Sequence, residues 1–160
     1  MHRNFWFLAG LAAITMGSAP ALADTSEFLT KAIKGDNSET KLGALAASRG
    51  HSRAVRNFGM MLVRDHRKAK AQAVPVAARH HVRVPAAMAD EAKDEYAKLQ
   101  RMRGAAFDRE FARYMVDDHQ KDIADFEAET NSGDPADVRA LARHTLPALR
   151  KHLATARSIS

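Results

Sequence analysis

Two Asp-His pairs stand 53 residues apart in this sequence, each behind an apolar run with helical character. Asp65 and His66 lie in "FGMMLVRDHRKA", and Asp118 and His119 lie in "FARYMVDDHQKD". Aligned from their first phenylalanines, the two windows agree at five of twelve positions. Imidazole and carboxylate groups are ligands for transition metals. The repeat therefore indicates a polar, metal-binding centre inside a helical protein.

Spacing of three and four residues places both histidines on apolar helix faces, and two further polar residues share that placement. His152 continues an apolar stripe near the C-terminus, and Glu39 stands in a similar stripe near the N-terminus. The apolar neighbours that define the four stripes include Leu42, Phe58, Leu62, Phe111, Met115, Leu141 and Leu149. Each main helix thus carries one candidate ligand on its buried side, and we predict a metal site formed by Glu39, His66, His119 and His152.

The sequence leaves open which metal, if any, these four residues bind. A set of histidines with a carboxylate suits Zn, Fe, Mn or Cu. A buried polar group without a partner costs about 1 to 3 kcal/mol, so these side chains must bond to one another, to water or to a metal. The alternative is a metal-free helical interaction module of the cell envelope, with a buried hydrogen-bonded network. Asp65 and Asp118 lie beside the stripes and are predicted to accept hydrogen bonds behind the histidines or to pair with nearby Arg and Lys.

The depth of the candidate ligands can be compared by counting from the turns. Glu39 lies 11 residues before Gly50 and His66 lies 16 after it, so an antiparallel hairpin separates them by five residues, or about 7 to 8 Å. The second hairpin has the same offset around Gly133. A tilt of the helices, or a site with two adjacent ions, would accommodate this difference in depth.

The elements that position these residues are predicted to be helices, because Ala is abundant and Gly and Pro fall mostly between periodic segments. Four main helices are expected over residues 26–48, from 52 to at least 73, 105–130 and 135–158, with a minor helix within 88–103. Pro75 is expected to kink or end the second main helix, and Pro147 to bend the last. Two hairpins joined by a crossover of about 30 residues predict an all-α, ferritin-like four-helix bundle.

The first 23 residues have the composition of a secretory signal peptide. A short basic start, an apolar run and the small residues Ala21 and Ala23 predict cleavage before Asp24. The domain is then residues 24–160, and we expect it in the periplasm. The chain has no Cys, so neither disulfides nor thiolate ligands are available.

Charge and the absence of catalytic motifs limit the function further. The net charge is +6, and it falls to +5 without Arg3 of the leader. Because opposite charges are interspersed, we expect no nucleic-acid binding, only weak attraction to anionic envelope surfaces. The sequence contains no phosphate loop or nucleophile elbow, and no segment after the leader is long and apolar enough to predict a transmembrane helix. Val63 and Val116 replace the glutamates of paired Glu-x-x-His motifs, so an enzyme is not expected, and the oligomeric state is left open.

Four motifs resemble those of the domain of unknown function 4142 family of exported bacterial proteins. They are "E-x-x-L-G" from Glu39, "M-L-V-x-D-H" from Met61, "F-D-R-x-F" with "M-V-x-D-H" from Phe107, and "T-L-P-x-L-R-x-H" from Thr145. The resemblance covers about residues 26–157. It implies a ferritin-like bundle in the periplasm or envelope and no established activity.

Overall fold

The computed structural model describes residues 19–132 and 135–160, with side chains from residue 24 onward. These residues form five helices, α1 (Ala19–Arg49), α2 (Arg53–Arg79), α3 (Asp90–Gln100), α4 (Gly104–Thr130) and α5 (Ala136–Ser158). The described residues contain no strand. The all-α, ferritin-like bundle of two hairpins and a crossover with a minor helix is confirmed. The predicted leader lies outside the described residues except for the helical backbone of 19–23, and Asp134, a predicted cap, also lies outside them.

Two helix boundaries differ from those expected from the sequence. α1 begins before Ser26, which therefore lies inside the helix, where the burial of Thr25 and Leu29 holds the additional turn. α2 continues through Pro75 to Arg79. Because Val76 and Ala77 beyond the proline are buried, their packing outweighs the hydrogen bond that the proline ring removes.

The bundle is built from two antiparallel hairpins, α1 with α2 and α4 with α5. The first hairpin turns at Gly50, where Ser52 caps α2 by accepting a hydrogen bond from the Val55 amide. Asp108 of α4 accepts hydrogen bonds from the His51 and Ser52 amides at 2.8 and 2.7 Å. The start of α4 is thereby fixed to the turn of the other hairpin.

The crossover between α2 and α4 places α3 over one half of the bundle. α3 packs against α1 and α4. The Asn37 amide donates to the carbonyl oxygens of Pro85 and Ala87, both at 3.0 Å, and so fixes the approach to α3. The side of the bundle between α1 and α4 is consequently covered in its Gly50 half by α3.

The apolar core is divided along the bundle axis. One cluster near the Gly50 turn contains Leu42, Phe58, Leu62, Phe107, Phe111 and Met115. Two further clusters occupy the opposite half, around Leu29, Ile33 and Val76 and around Phe126, Leu146 and Leu149. Between these clusters the buried positions are polar. None of the five described helices combines the length and the apolar character needed to cross a membrane.

Candidate metal centre

Three histidines from three helices meet in the polar layer between the apolar clusters. His66 of α2, His119 of α4 and His152 of α5 are exposed by 4, 0 and 1%. Their ring centroids lie 5.2 to 6.0 Å apart. Each ring offers a nitrogen within 4.8 Å of the nitrogens of the other two. We call these three residues the histidine centre.

Every ring of the histidine centre has one nitrogen bound to an oxygen outside the centre. His66 Nδ1 lies 3.0 Å from Asp36 Oδ1. His119 Nδ1 lies 2.9 Å from the carbonyl oxygen of Met115. His152 Nε2 lies 3.0 Å from Asp65 Oδ2. Histidines that bind metals commonly donate their outer N–H to such oxygens, which fixes the ring and its tautomer.

The proton positions in the centre follow from these acceptors. A carbonyl only accepts, so the proton of His119 is on Nδ1 and Nε2 carries a lone pair. The Arg64 guanidinium, followed by His152, holds the pKa of Asp65 at about 2, so this carboxylate accepts from His152 Nε2. Nδ1 of a neutral His152 then carries a lone pair as well. It faces His119 Nε2 at 3.3 Å.

His119 and His152 are neutral at physiological pH. Burial lowers the pKa of His119 to about 3 and that of His152 to about 4, and the neighbouring histidines add to the effect. Two lone pairs therefore face each other with no proton between them. The third inward nitrogen, His66 Nε2, is buried and has no hydrogen-bond partner. Three inward-facing ring nitrogens, two of them lone pairs, therefore converge among buried side chains, which is unfavourable unless a hydrogen-bond donor or a cation joins them.

The separation of the nitrogens fits a metal ion. Two nitrogen ligands of tetrahedral zinc, at bonds of about 2.0 to 2.1 Å, lie about 3.3 to 3.4 Å apart. His119 Nε2 and His152 Nδ1 have that separation already. His66 lies within 4.8 Å of both and needs a small inward movement to complete the set.

The buried Glu39 and the half-buried Asp118 form a pair of carboxyl groups next to the histidine centre. Glu39 is 0% exposed, and no donor reaches either of its carboxyl oxygens in hydrogen-bonding geometry. Together with His119, the pair offers donor atoms that all lie within 4.8 Å of one another. Burial, and then the charge of Asp118, raises the pKa of Glu39 well above its usual range. Burial thus favours the protonated form of Glu39, and once deprotonated this carboxyl group is a candidate ligand for a cation.

Of the four residues predicted from the sequence, the structure brings His66, His119 and His152 together, whereas Glu39 lies in a second group with Asp118 that shares only His119. Their role as metal ligands stays a prediction. Asp65 pairs with both His152 and Arg64, as expected. Asp118 instead lies beside Glu39, with the Tyr114 hydroxyl near it.

Sequence reasoning missed Asp36, which orients His66. Counting from Gly50 gave a signal that would have found it, since Asp36 lies 14 residues before the turn and His66 lies 16 after it. The two are therefore about 3 Å apart in depth, closer than Glu39 and His66. Asp36 was overlooked because it falls outside the strict apolar stripe of α1.

The fold and this layer define an all-α, ferritin-like bundle with a buried cluster of histidines and carboxylates at its middle. The chain belongs to the family described as "Domain of unknown function (DUF4142)", whose model matches residues 11–159. This confirms the resemblance seen in the motifs.

A solved structure titled "Crystal structure of DUF305 fragment from Deinococcus radiodurans" is similar to the bundle. The TM-score is 0.74 at 19% sequence identity, over 85% of this chain and 94% of that one. At this identity the similarity establishes the fold alone. No curated protein is significantly similar in sequence.

Proposed function

We propose that this chain is an exported periplasmic protein that binds a transition-metal ion through His66, His119 and His152, with Glu39 as a further ligand. The role that fits such a protein is metal storage, metal buffering or protection of the envelope under stress. The observation that carries the proposal is the convergence of three buried imidazole rings, each with its outer nitrogen beside an oxygen and an inward nitrogen facing the other two rings. Zn, Fe, Mn and Cu remain the candidate ions, because nitrogen and carboxylate ligands accept each of them.

Export is supported by the first 23 residues alone. Their basic start, apolar run and small residues before Asp24 are typical of a cleaved leader. Mass measurement of the protein recovered from the periplasm should give a chain that begins at Asp24. Recovery of a cytoplasmic protein that retains residues 1–23 would contradict export without affecting the metal proposal.

The metal proposal is tested with the chain from Asp24, produced without an affinity tag. We expect about one equivalent of bound transition metal by elemental analysis, and a higher melting temperature when Zn, Mn or Cu(II) is added to the metal-free protein. Co(II) provides a spectroscopic probe, because its absorption reports whether the ion is tetrahedral.

Two histidines of α5 form a matched pair of variants. His152 belongs to the centre, whereas His144 is exposed. We expect His152→Gln to weaken metal binding by at least roughly 100-fold, because loss of a residue that only hydrogen-bonds a ligand already costs up to about 100-fold. His144→Gln should leave metal binding unchanged. Less than about a tenth of an equivalent of metal in the wild type, with no gain in melting temperature, would favour the metal-free interaction module.

One observation is compatible with that alternative. The 3.3 Å separation of His119 Nε2 and His152 Nδ1 also suits a shared proton. His152 would then be an imidazolium paired with Asp65. Burial opposes this charge, as the lowered pKa of His152 indicates, so the metal is the better occupant.

A further inference from the structure

A cavity of about 580 Å³ lies between the two hairpins, on the α1–α4 side of the bundle and in the half that α3 does not cover. Its walls are the first half of α1 and the second half of α4, and α5 contributes Thr145 and Leu149. α3 covers the same side only in the Gly50 half. The cavity is therefore the part of the α1–α4 boundary that the crossover leaves open.

Acidic side chains dominate the polar lining of this cavity, although the chain as a whole has a net charge of +6. Lys31 is the basic side chain among the described lining residues, and it pairs with Glu27 at 3.1 Å. The acidic residues are Asp24, Glu27, Asp36, Asp122, Asp125 and Glu129. We call this cavity the acidic cleft.

The acids of α4 form a row that leads from the acidic cleft to the metal centre. Asp118, Asp122, Asp125 and Glu129 are spaced by four, three and four residues, so they share one face of the helix. Asp125 is exposed and Asp118 lies beside Glu39. Burial, followed by the charges of Asp118, Asp125 and Asp36, raises the pKa of Asp122 well above its usual range. The row is thus close enough for its members to repel one another, which costs stability in the absence of a cation.

His66 connects the acidic cleft with the histidine centre. It lines the cleft, it is 4% exposed, and its Nε2 has no hydrogen-bond partner. Its Asp36 partner also lines the cleft. The His66 side chain therefore lies both at the inner end of the cleft and at the edge of the proposed metal site.

We propose that the acidic cleft is the entrance through which a hydrated divalent metal cation reaches the histidine centre, guided by the carboxylate row of α4. This inference rests on the proposed function. A cleft lined by one sign of charge with low-dielectric walls raises the local concentration of counter-ions and accelerates their association by about 10- to 1,000-fold. Phe28, Phe126 and Leu149 provide such apolar walls.

The first test changes charge at the mouth. Stopped-flow association of Co(II) with the metal-free protein is compared for Asp125→Lys and Asp117→Lys, two exposed positions of α4 of which only Asp125 lines the cleft. Both variants change the net charge equally. At low ionic strength we expect Asp125→Lys to slow association about 10-fold, and Asp117→Lys to change it less than about twofold. The difference should shrink at 0.5 M salt, where the Debye length is only about 4 Å.

The second test blocks the route. Ala32 lines the cleft and is not a proposed ligand. Ala32→Trp should slow both association and dissociation of Co(II) while the equilibrium affinity changes less than about threefold. Circular dichroism confirms that each variant is folded. Unchanged rates in Ala32→Trp and Asp125→Lys, in a protein that still binds one equivalent of metal, would overturn the entrance and leave the proposed function standing. Failure of the wild type to bind Co(II), Zn or Cu(II) would instead remove the proposed function itself.

Discussion

An oxygen outside the histidine centre lies against the outer nitrogen of each ring. These oxygens belong to Asp36, the Met115 carbonyl and Asp65. The Met115 carbonyl and the Asp65 carboxylate accept from His119 and His152, whose inward nitrogens are left as lone pairs. These two rings are pre-organised for a cation, since neither has to change tautomer on binding.

Asp65 provides the sharpest test of that arrangement. Asp65→Asn should weaken metal affinity about 10- to 100-fold, in line with the usual effect of losing an outer partner. An amide bonds the ring less strongly than a carboxylate, and its NH2 group can face His152 Nε2 and drive the ring proton to Nδ1, where the metal should bind. Metal titration gives the affinity, and long-range ¹H–¹⁵N spectra of the metal-free protein report the tautomer.

A matched control for this variant is Asp117→Asn, an exposed carboxylate of α4 paired with Arg113. It should retain wild-type affinity. If Asp65→Asn binds metal as tightly as this control, the carboxylate does not set the state of His152.

The residue types of the site could be predicted from the sequence, whereas their pairing could not. The apolar stripes identify Glu39, His66, His119 and His152, because burial of a polar residue is visible in the periodicity. Which oxygen stands behind each ring depends on the relative depth of facing helices. That depth is set by packing between elements, so the Glu39–Asp118 pairing became visible only in three dimensions, whereas the similar distances of Asp36 and His66 from Gly50 already indicate their pairing.

At the scale of elements, the hairpin of α1 and α2 is set by a close approach of two glycines. A Cβ on Gly59 would lie 2.5 Å from the Gly43 carbonyl oxygen and 2.6 Å from the Ala47 amide nitrogen. The two helix backbones are therefore in direct contact. This contact fixes the depth of α2 relative to α1, and with it the distance between His66 and Asp36.

Gly59→Ala should consequently destabilise the protein by about 1 to 3 kcal/mol or more, because the methyl group meets backbone and the helices must separate. Gly35→Ala is the matched control, since its Cβ would have Asp122 Oδ2 at 4.0 Å as its nearest neighbour. That variant should gain roughly 0.5 to 1 kcal/mol from its lower backbone entropy. Urea denaturation measures both changes, and equal stabilities for the two variants would contradict the close approach.

The helix boundaries show where local sequence signals are sufficient to predict the structure. The start of the second main helix near residue 52 and the turn at Gly50 were expected, and in the structure Ser52 caps α2. Pro75 was misleading because a proline affects only its own turn, while burial of the following residues extends α2 to Arg79. Tertiary packing overrides such a local signal, and periodicity alone does not reveal how much packing lies beyond it.

Across the whole molecule, the candidate metal centre replaces part of the hydrophobic core with polar and ionisable groups. Apolar clusters lie on both sides of a layer that contains Asp36, Glu39, His66, His119 and His152. In the metal-free protein this layer opposes folding, because buried carboxyl groups such as that of Glu39 lose their hydration. A bound cation reverses the sign of that contribution. The stability of the bundle and the occupancy of its centre are therefore linked.

Glu39→Gln exposes this linkage. The pKa of Glu39 is raised in the folded protein, so its contribution to stability is complete below the unfolded pKa near 4.5 and is lost as pH rises through the folded value. The metal-free variant should therefore be more stable than the wild type at pH 8, with a difference that shrinks toward pH 4. Thermal and urea denaturation across this range measure it. Glu91→Gln, at an exposed position of α3, should show no such trend.

Addition of metal should reverse the order of the two proteins. At a free metal concentration 100 times the dissociation constant, the wild type gains about 2.7 kcal/mol, whereas Glu39→Gln, which lacks one proposed ligand charge, gains less at the same concentration. A Glu39→Gln advantage that is independent of both pH and metal would mean that this carboxylate affects packing only. If the buried layer is unstable without a cation and is stabilised by one, the higher stability of Glu39→Gln should depend on pH and should disappear when metal is added.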